Sequence, residues 1–133
     1  MLRAEDGAAL EDGRIVVVDQ AKGLRLIEKD GSNRPFGNFG DVDFSLDSPE
    51  NTTAPNEINL EPDGKHLLMC DVASGKIYRT NIDSEKVTLI YDHPYGVNSI
   101  YRDKTGTIWF TPSMKNSTLE ELWDPIKNLL PNG

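Results

Sequence analysis

Few side chains in this sequence are of the types that perform nucleophilic catalysis or bind transition metals. The chain has one cysteine, Cys70, and two histidines, His66 and His93, without the Cys/His spacing of a zinc site. Cys70 lies in an apolar run with neither His nor Lys beside it. We therefore expect a buried strand residue, with a reactive thiol as the alternative. Neither histidine is expected to be catalytic. The remaining chemistry belongs to the oxygen donors of Asp, Glu and Asn, which hard cations such as Ca²⁺ prefer.

The charge of the chain argues against two classes of partner. Its 133 residues include 22 acidic and 14 basic ones, for a net charge of -8. Such a surface repels phosphate backbones and anionic membranes, and no stripe of Lys and Arg offsets it, so we expect no nucleic acid or membrane partner. No apolar run approaches the ~20 residues of a transmembrane helix. No signal peptide is visible at the start, so the cytoplasm is the default expectation.

Three segments of the chain share a pattern that begins with a turn glycine. Gly13, Gly64 and Gly106 each precede an apolar run. In the first two segments the run ends in Asp19 or Asp71, and another glycine follows four positions later. Glycine supplies the positive φ of tight turns, and a short apolar run is typical of a strand buried on both faces. The pattern predicts a series of hairpins in which the two aspartates stabilise turns.

Between Asn56 and Tyr91 the pattern predicts four short strands. They cover about residues 57–61, 66–70, 76–82 and 86–91. Four sequential antiparallel strands form one blade of a β-propeller, and the turn glycines lie 51 and 42 residues apart, near the ~40–50-residue period of such blades. We therefore predict an all-β fold, a partial β-propeller with about two to three four-stranded blades. Trp109 and Phe110 are expected in the core between blades.

This interpretation assigns residues 1–133 to a single partial propeller domain. Blade one covers about residues 5–31, a loop excursion 32–54, blade two about 55–93 and the start of blade three 96–133. At ~45 residues per blade the chain supplies about three blades, whereas closed rings have four to eight. We expect either a fragment of a longer protein or self-association through open blade edges. A capping-box pattern that starts at Ser117 predicts a short C-terminal helix.

The sequence resembles the senescence marker protein/gluconolactonase family, whose members are six-bladed β-propellers. The stretch from Gly96 to Thr111 is similar to the family's inner strand containing Asn-Asp and the Asp-Gly-x-Ile-Tyr-Phe-Thr run after it, with Ser99 in place of Asp. Glu5 lies eight residues before Gly13, at the offset of the Glu in the family's opening Glu-Gly-Pro-Val-Trp segment, but the Pro and Trp are absent. The resemblance covers about residues 5–133, which correspond to the N-terminal half of the family pattern.

The resemblance implies one divalent metal in the central channel, with Ca²⁺ favoured over Zn²⁺. It matches Glu5 to a metal ligand and Asn98 to a channel residue near the substrate, and the other metal ligands would come from blades beyond Gly133. Asn56 lies 42 residues before Asn98, at the matching place one blade earlier, and is a further candidate for substrate binding. A plain surface acid remains the alternative for Glu5, as does a turn cap for Asn98. No catalytic residue is assigned.

The function implied by the resemblance is metal-dependent hydrolysis of a small sugar lactone or ester. The metal would polarise the carbonyl group, and an acidic channel residue would handle the proton of the attacking water. Because part of the site would lie outside it, the 133-residue chain alone is expected to show no turnover. The alternative is a non-catalytic propeller that acts as a binding or scaffold module. The absent Pro and Trp near Glu5 and the serine at position 99 favour this alternative.

Overall fold

A computed structural model describes residues 4–42, 44 and 53–112 of the chain, and these residues form three antiparallel β-sheets. The first sheet has the order β1-β2-β3-β4, the second β5-β6-β7-β8, and β9 pairs with β10 in the third. Each strand is therefore hydrogen-bonded to its neighbour in sequence, as in propeller blades. The all-β class and the partial β-propeller are confirmed. The strands are β1 (Ala4–Ala9), β2 (Ile15–Asp19), β3 (Gly23–Ile27), β4 (Asn33–Pro35), β5 (Pro55–Leu60), β6 (His66–Asp71), β7 (Lys76–Asn81), β8 (Val87–Asp92), β9 (Val97–Arg102) and β10 (Ile108–Pro112).

The second sheet agrees with its predicted strands to within two residues at each end. Its turns depend on glycine for a physical reason that is clearest at Gly75, which has a φ of 80°. A Cβ at this position would collide with the backbone oxygens of His93 and Tyr95. The β6–β7 turn and the connection from β8 to β9 are therefore packed backbone to backbone, and only glycine fits between them.

The first sheet takes a fourth strand from a segment that the sequence analysis assigned to the loop excursion. This strand, β4, has three exposed residues, so no alternation of buried and exposed positions marks it in the sequence. It pairs with β3, and the Arg25 guanidinium donates to Asn33 Oδ1 at 2.7 Å. The division into blades and the six-bladed type stay predictions. The predicted C-terminal helix lies outside the described residues.

The core consists of two layers, each between a pair of adjacent sheets. In the first layer β2 and β3 pack against the second sheet; its buried residues include Val16, Val18, Leu24 and Leu26 from the first sheet and Leu67, Met69 and Tyr78 from the second. The second layer lies between the second and third sheets; its buried residues are Leu68, Cys70, Ile77, Val97 and Ile100. We call the face of a sheet that is turned toward the preceding sheet in the chain its N-side face, and the opposite face its C-side face.

Strand β6 is covered on both faces, as its sequence predicted. Leu67 and Met69 belong to the N-side layer and Leu68 and Cys70 to the C-side layer, because successive side chains of a strand point to opposite faces. Burial raises the pKa of the Cys70 thiol to about 12. The prediction of a buried strand residue is confirmed, and burial keeps the thiol from forming the reactive thiolate. Within the described ranges, no helix has the length and hydropathy of a membrane span.

Candidate functional site at the innermost strands

The first strand of each sheet lies at one edge of that sheet, and these three strands are neighbours in space. β1 contacts β5, and β5 contacts β9. Within the described ranges, each pairs with a single strand, on its outer side. In a propeller the strands in this position line the central channel. Side chains near their starts are therefore candidates for a site built from several blades.

All three innermost strands contain a β-bulge at the same place, directly after their first residue. In each case the pairing advances by two residues along the innermost strand but by only one along the partner strand, so the innermost strand has one extra residue. The extra residues are Glu5, Asn56 and Asn98. A bulge re-aims a side chain and is common next to active sites. The three residues named from the sequence thus occupy equivalent positions in successive sheets.

The structure brings two of these three residues into direct contact. Asn56 Nδ2 donates to the backbone oxygen of Asn98 at 2.7 Å and to its Oδ1 at 3.0 Å. Glu5 is exposed on the adjacent strand β1, and among the described residues no hydrogen bond joins it to either asparagine. The contact between the asparagines spans the second and third sheets. The roles of Glu5 as a metal ligand and of Asn56 and Asn98 in substrate binding stay predictions.

The residues directly after the first two bulges bind one sheet to the next, a role that the sequence analysis missed. Asp6 Oδ2 accepts a hydrogen bond from the Ile58 N–H at 3.1 Å. Glu57 Oε2 accepts from the Ile100 N–H and from the Ser99 hydroxyl. We call these two contacts the carboxylate clasps. The signal was present in the sequence, because Asp6 and Glu57 have the same 51-residue spacing as the first two turn glycines.

The two aspartates at the strand ends stabilise turns, as predicted. Asp19 Oδ1 accepts from the N–H groups of Ala21 and Lys22. Asp71 Oδ1 accepts from the N–H groups of Ala73 and Ser74, and its Oδ2 accepts from that of Ala54. Each carboxylate thereby satisfies donors of the turn that follows its strand. Asp71 in addition fixes the chain that enters the second sheet.

A second polar group lies beyond the opposite end of β5. Potential ligand atoms of Glu61, Asp63 and His66 lie within 4.8 Å of one another, which makes the group able to hold a metal by ligand type. However, Glu61 Oε2 accepts from Arg79 at 2.7 Å, and Glu61 Oε1 accepts from Arg102 at 2.9 Å. His66 Nδ1 lies 2.7 Å from Asp63.

These arginines define what the second polar group does in this structure. The hydrogen bond to Glu61 raises the pKa of Arg79, so this guanidinium is charged throughout the neutral range. Glu61 is 4% exposed, and its two guanidinium partners come from the second and third sheets. A cation would have to displace both. The group therefore connects two sheets as an ion-pair network, and the bulged positions are the better candidate site.

The aromatic pair in β10 was predicted correctly at one of its two positions. Phe110 packs against the second core layer, and its ring lies 5.3 Å from that of His93. Trp109, in contrast, is 62% exposed, so its predicted place in the core is wrong for the part of the chain that the structure describes. Neighbouring strand residues point to opposite faces, and the described residues cover only the N-side face of this sheet.

Comparisons with known proteins support the fold. No known protein family matches the sequence, and no curated protein matches it. A streptogramin B lyase structure superposes with a TM-score of 0.65 at 17% identity over 84% of this chain. The virginiamycin B lyase from Staphylococcus aureus gives a TM-score of 0.63 at 18% identity, also over 84% of this chain.

These similarities are limited to the fold and to part of each neighbour. The chain spans about a third of the length of both lyases, 34% and 35%. Both neighbours are β-propellers, so the comparisons support a propeller but do not support the gluconolactonase family in particular. In fold, the chain is similar to about one third of a β-propeller lyase.

Proposed function

We propose that the chain is part of a β-propeller enzyme whose substrate site lies at the bulged starts of β1, β5 and β9. In this proposal a divalent cation assists the hydrolysis of a small lactone or ester. The observation that carries it is the set of three equivalent β-bulges with Glu5, Asn56 and Asn98 as their extra residues. Bulges at equivalent positions direct equivalent side chains, and all three of these side chains are polar, as a site at a channel mouth requires.

The available donor atoms suit a hard cation. Glu5 supplies a carboxylate, and the two asparagines supply amide oxygens, whereas zinc sites in proteins are built mainly from Cys and His. Asn56 uses its Nδ2 toward Asn98, which turns its Oδ1 into the atom available to a cation. Ca²⁺ takes six to eight oxygen ligands, so three side chains form an incomplete shell that water or further blades would complete. A bound cation would supply Lewis-acid polarisation of the substrate carbonyl.

Asn56, Asn98 and Glu5 also have roles in this proposal that do not involve the cation. The Nδ2 contacts of Asn56 hold the side chain of Asn98 in one orientation. Asn98 then presents a fixed amide toward the substrate. The exposed carboxylate of Glu5 is placed to accept a proton at the channel mouth if it is not occupied by the cation.

Lyase chemistry is a second candidate, because the two similar solved structures named above are described as lyases. A carboxylate at the channel mouth can accept a proton in an elimination as well as in a hydrolysis. The two reactions differ in the origin of the product oxygen. Hydrolysis in H₂¹⁸O places the label in the acid product, whereas elimination does not.

The cation site can be tested on the 133-residue chain without any turnover. We expect Mn²⁺ to broaden the amide NMR signals around residues 5, 56 and 98, and Ca²⁺ to reverse the effect. Because the ligand shell is incomplete, we expect weak binding, with a Kd on the order of 10⁻⁴–10⁻³ M. Glu5→Gln removes the one charged ligand and should weaken binding several-fold. Asp83→Asn is the matched control, since Asp83 is an exposed acid in the β7–β8 turn.

The same titration identifies the results that contradict the proposal. Broadening confined to residues 61–66 would assign the cation to the Glu61 group instead. Equal weakening by Glu5→Gln and Asp83→Asn would indicate a general effect of charge. No broadening at either location would remove the metal from the proposal and favour the non-catalytic binding module.

A further inference from the structure

The third sheet is held against the second by side chains of β5 that reach the inner edge of β9. These two innermost strands are neighbours in space but belong to different sheets, and β9 pairs with β10 on its outer side. In an antiparallel ladder, the backbone groups of successive residues alternate between the two edges of a strand. The Asp103–Thr107 hydrogen bond sets this alternation for β9, so the N–H and the C=O of Ile100 point away from β10.

Both backbone groups of Ile100 are bound by side chains of β5. Glu57 Oε2 accepts from the Ile100 N–H, and Asn59 Nδ2 donates to the Ile100 carbonyl oxygen. Ile100 is 1% exposed, and an unpaired backbone group at a buried position costs about as much free energy as a lost hydrogen bond. One acceptor and one donor of β5 therefore fix β9 at two points of the same residue.

The contact from Asn59 distinguishes this junction from the one between the first and second sheets. There Asp6, the equivalent of Glu57, accepts from a backbone N–H of β5. The residue two positions after Asp6, equivalent to Asn59, is Ala8, and its methyl group cannot donate a hydrogen bond. One sheet thus packs on the next with the acceptor alone. The additional donor is present at the junction where the two asparagines of the candidate site touch.

The contact between these two asparagines depends on the position of β9. The backbone oxygen of Asn98 can only accept, so the group of Asn56 that lies 2.7 Å from it is the Nδ2 donor. The same Nδ2 donates to Asn98 Oδ1 at 3.0 Å, which turns the Asn98 Nδ2 away from Asn56. N–H···O bonds extend to about 3.2 Å, so a small shift of β9 along β5 would break both contacts and release both amides.

We infer that Asn59 is a positioning residue of the candidate site. Together with Glu57 it fixes Ile100, and Ile100 lies two residues after Asn98 in the same strand. The hold on Ile100 therefore keeps Asn98 at the position where it meets Asn56. The orientation of the two amides does not depend on what binds at the site, whereas the effect of Asn59 on cation binding rests on the proposed function.

Asn59→Ala tests this role, because it gives the second sheet the residue that the first sheet has at Ala8. By NMR, we expect the side-chain amide protons of Asn56 to exchange with water several-fold faster, since a displaced β9 no longer keeps their acceptors in place. The Ile100 N–H should retain most of its protection, because Glu57 still accepts from it. Where Mn²⁺ binds the unmodified chain, its Kd should rise several-fold in this variant.

Two further variants separate positioning from the filling of space and from a general loss of stability. Asn59→Leu keeps the branched shape of the side chain but has no donor, so Asn56 should exchange as fast as in Asn59→Ala. Asn33→Ala removes a side chain that accepts from Arg25 within the first sheet, and it should leave both Asn56 exchange and Mn²⁺ binding unchanged. Circular dichroism should show that all three variants are folded.

Three results would overturn the inference. They are unchanged Asn56 exchange in Asn59→Ala, exchange in Asn59→Leu as slow as in the unmodified chain, and an equal acceleration in Asn33→Ala. An unmodified chain that binds no Mn²⁺ would remove the cation from the proposed function, but the Asn56 exchange rates would still decide the role of Asn59.

Discussion

The first and second sheets share one repeat but differ in how much of it is buried. In the second sheet both faces of β6 are covered, whereas in the described part of the first sheet the N-side residues of β2 are exposed (Ile15) or half-buried (Val17). Yet β2, with the sequence Ile-Val-Val-Val-Asp, is as apolar as β6. A strand with one face in water usually alternates apolar and polar residues. The composition of β2 is therefore that of a strand covered on both faces, as β6 is.

The largest expected effect on the free energy of unfolding is at a buried position of β6, and the equivalent position of β2 serves for comparison. Leu67→Ala should lower the free energy of unfolding by about 2–5 kcal/mol, because it leaves a cavity between two sheets. Ile15→Ala, at the equivalent position of β2, should cost less than about 1 kcal/mol in the monomer, since Ile15 is partly exposed. Urea denaturation at low protein concentration measures both.

The same pair of variants can break the comparison. Equal losses for Leu67→Ala and Ile15→Ala at low concentration would mean that the N-side face of the first sheet is already covered in the monomer. A loss for Ile15→Ala that grows with protein concentration would instead sharpen the comparison, because the missing cover would then be a second copy.

An intermediate effect is expected at the carboxylate clasps. Glu57→Ala removes the acceptor of the Ile100 N–H and the Ser99 hydroxyl and should cost about 1.5–3 kcal/mol. Asp6→Ala removes the acceptor of the Ile58 N–H and should cost about 0.5–1.5 kcal/mol. Thermal denaturation gives the totals, and hydrogen exchange at the Ile58 and Ile100 amides locates each effect.

A conservative variant separates the clasp from simple loss of packing. Glu57→Gln keeps an acceptor oxygen at nearly the same place and should retain much of the protection of the Ile100 amide. Unchanged protection of this amide in Glu57→Ala would show that the clasp does not hold the second and third sheets together.

The smallest effect on stability is expected in the third sheet, where Tyr101 and Trp109 are exposed in the described part of the chain. Hydrogen bonds from the Thr105 hydroxyl and the Trp109 indole lower the pKa of Asp103 to about 2. A lowered pKa in the folded state means that the stabilising contribution is present above the ordinary value of 3.8 and is lost as the pH falls through about 2. The Trp109 indole NMR signal should therefore stay constant from pH 7 to 4 and shift only near pH 2. Asp103→Asn should abolish this late shift, and a titration centred near 4 would contradict the proposed geometry.

The sequence predicted the strands where an apolar run lies between two turn glycines. The second sheet, the turn aspartates and the burial of Cys70 all follow from such local patterns. β4 was not predicted because three exposed residues carry no pattern, and its place depends on pairing with β3. Trp109 was placed in the core because an aromatic residue in a strand usually has one covered face, and the sequence does not specify which face a neighbour covers.

The candidate site likewise contains some residues that the sequence identified and others that only the tertiary structure revealed. Glu5, Asn56 and Asn98 could be named from the resemblance and from repeat spacing, and the structure places them at equivalent bulges. Asp6 and Glu57, directly beside them, were overlooked. The carboxylates of Asp6 and Glu57 accept from backbone groups 52 and 43 positions further along the chain, and no local pattern marks such a pair.

By itself, the sequence determined the repeat: which residues turn, which alternate between the faces of a strand, and how far apart the copies lie. These properties depend on interactions within a few residues, such as positive φ at glycine and side-chain alternation along a strand. The tertiary structure alone decided which copies face each other, which apolar rows remain exposed, and that Asn56 meets Asn98. These properties depend on packing between sheets, where the buried area is shared by residues that are distant in the chain.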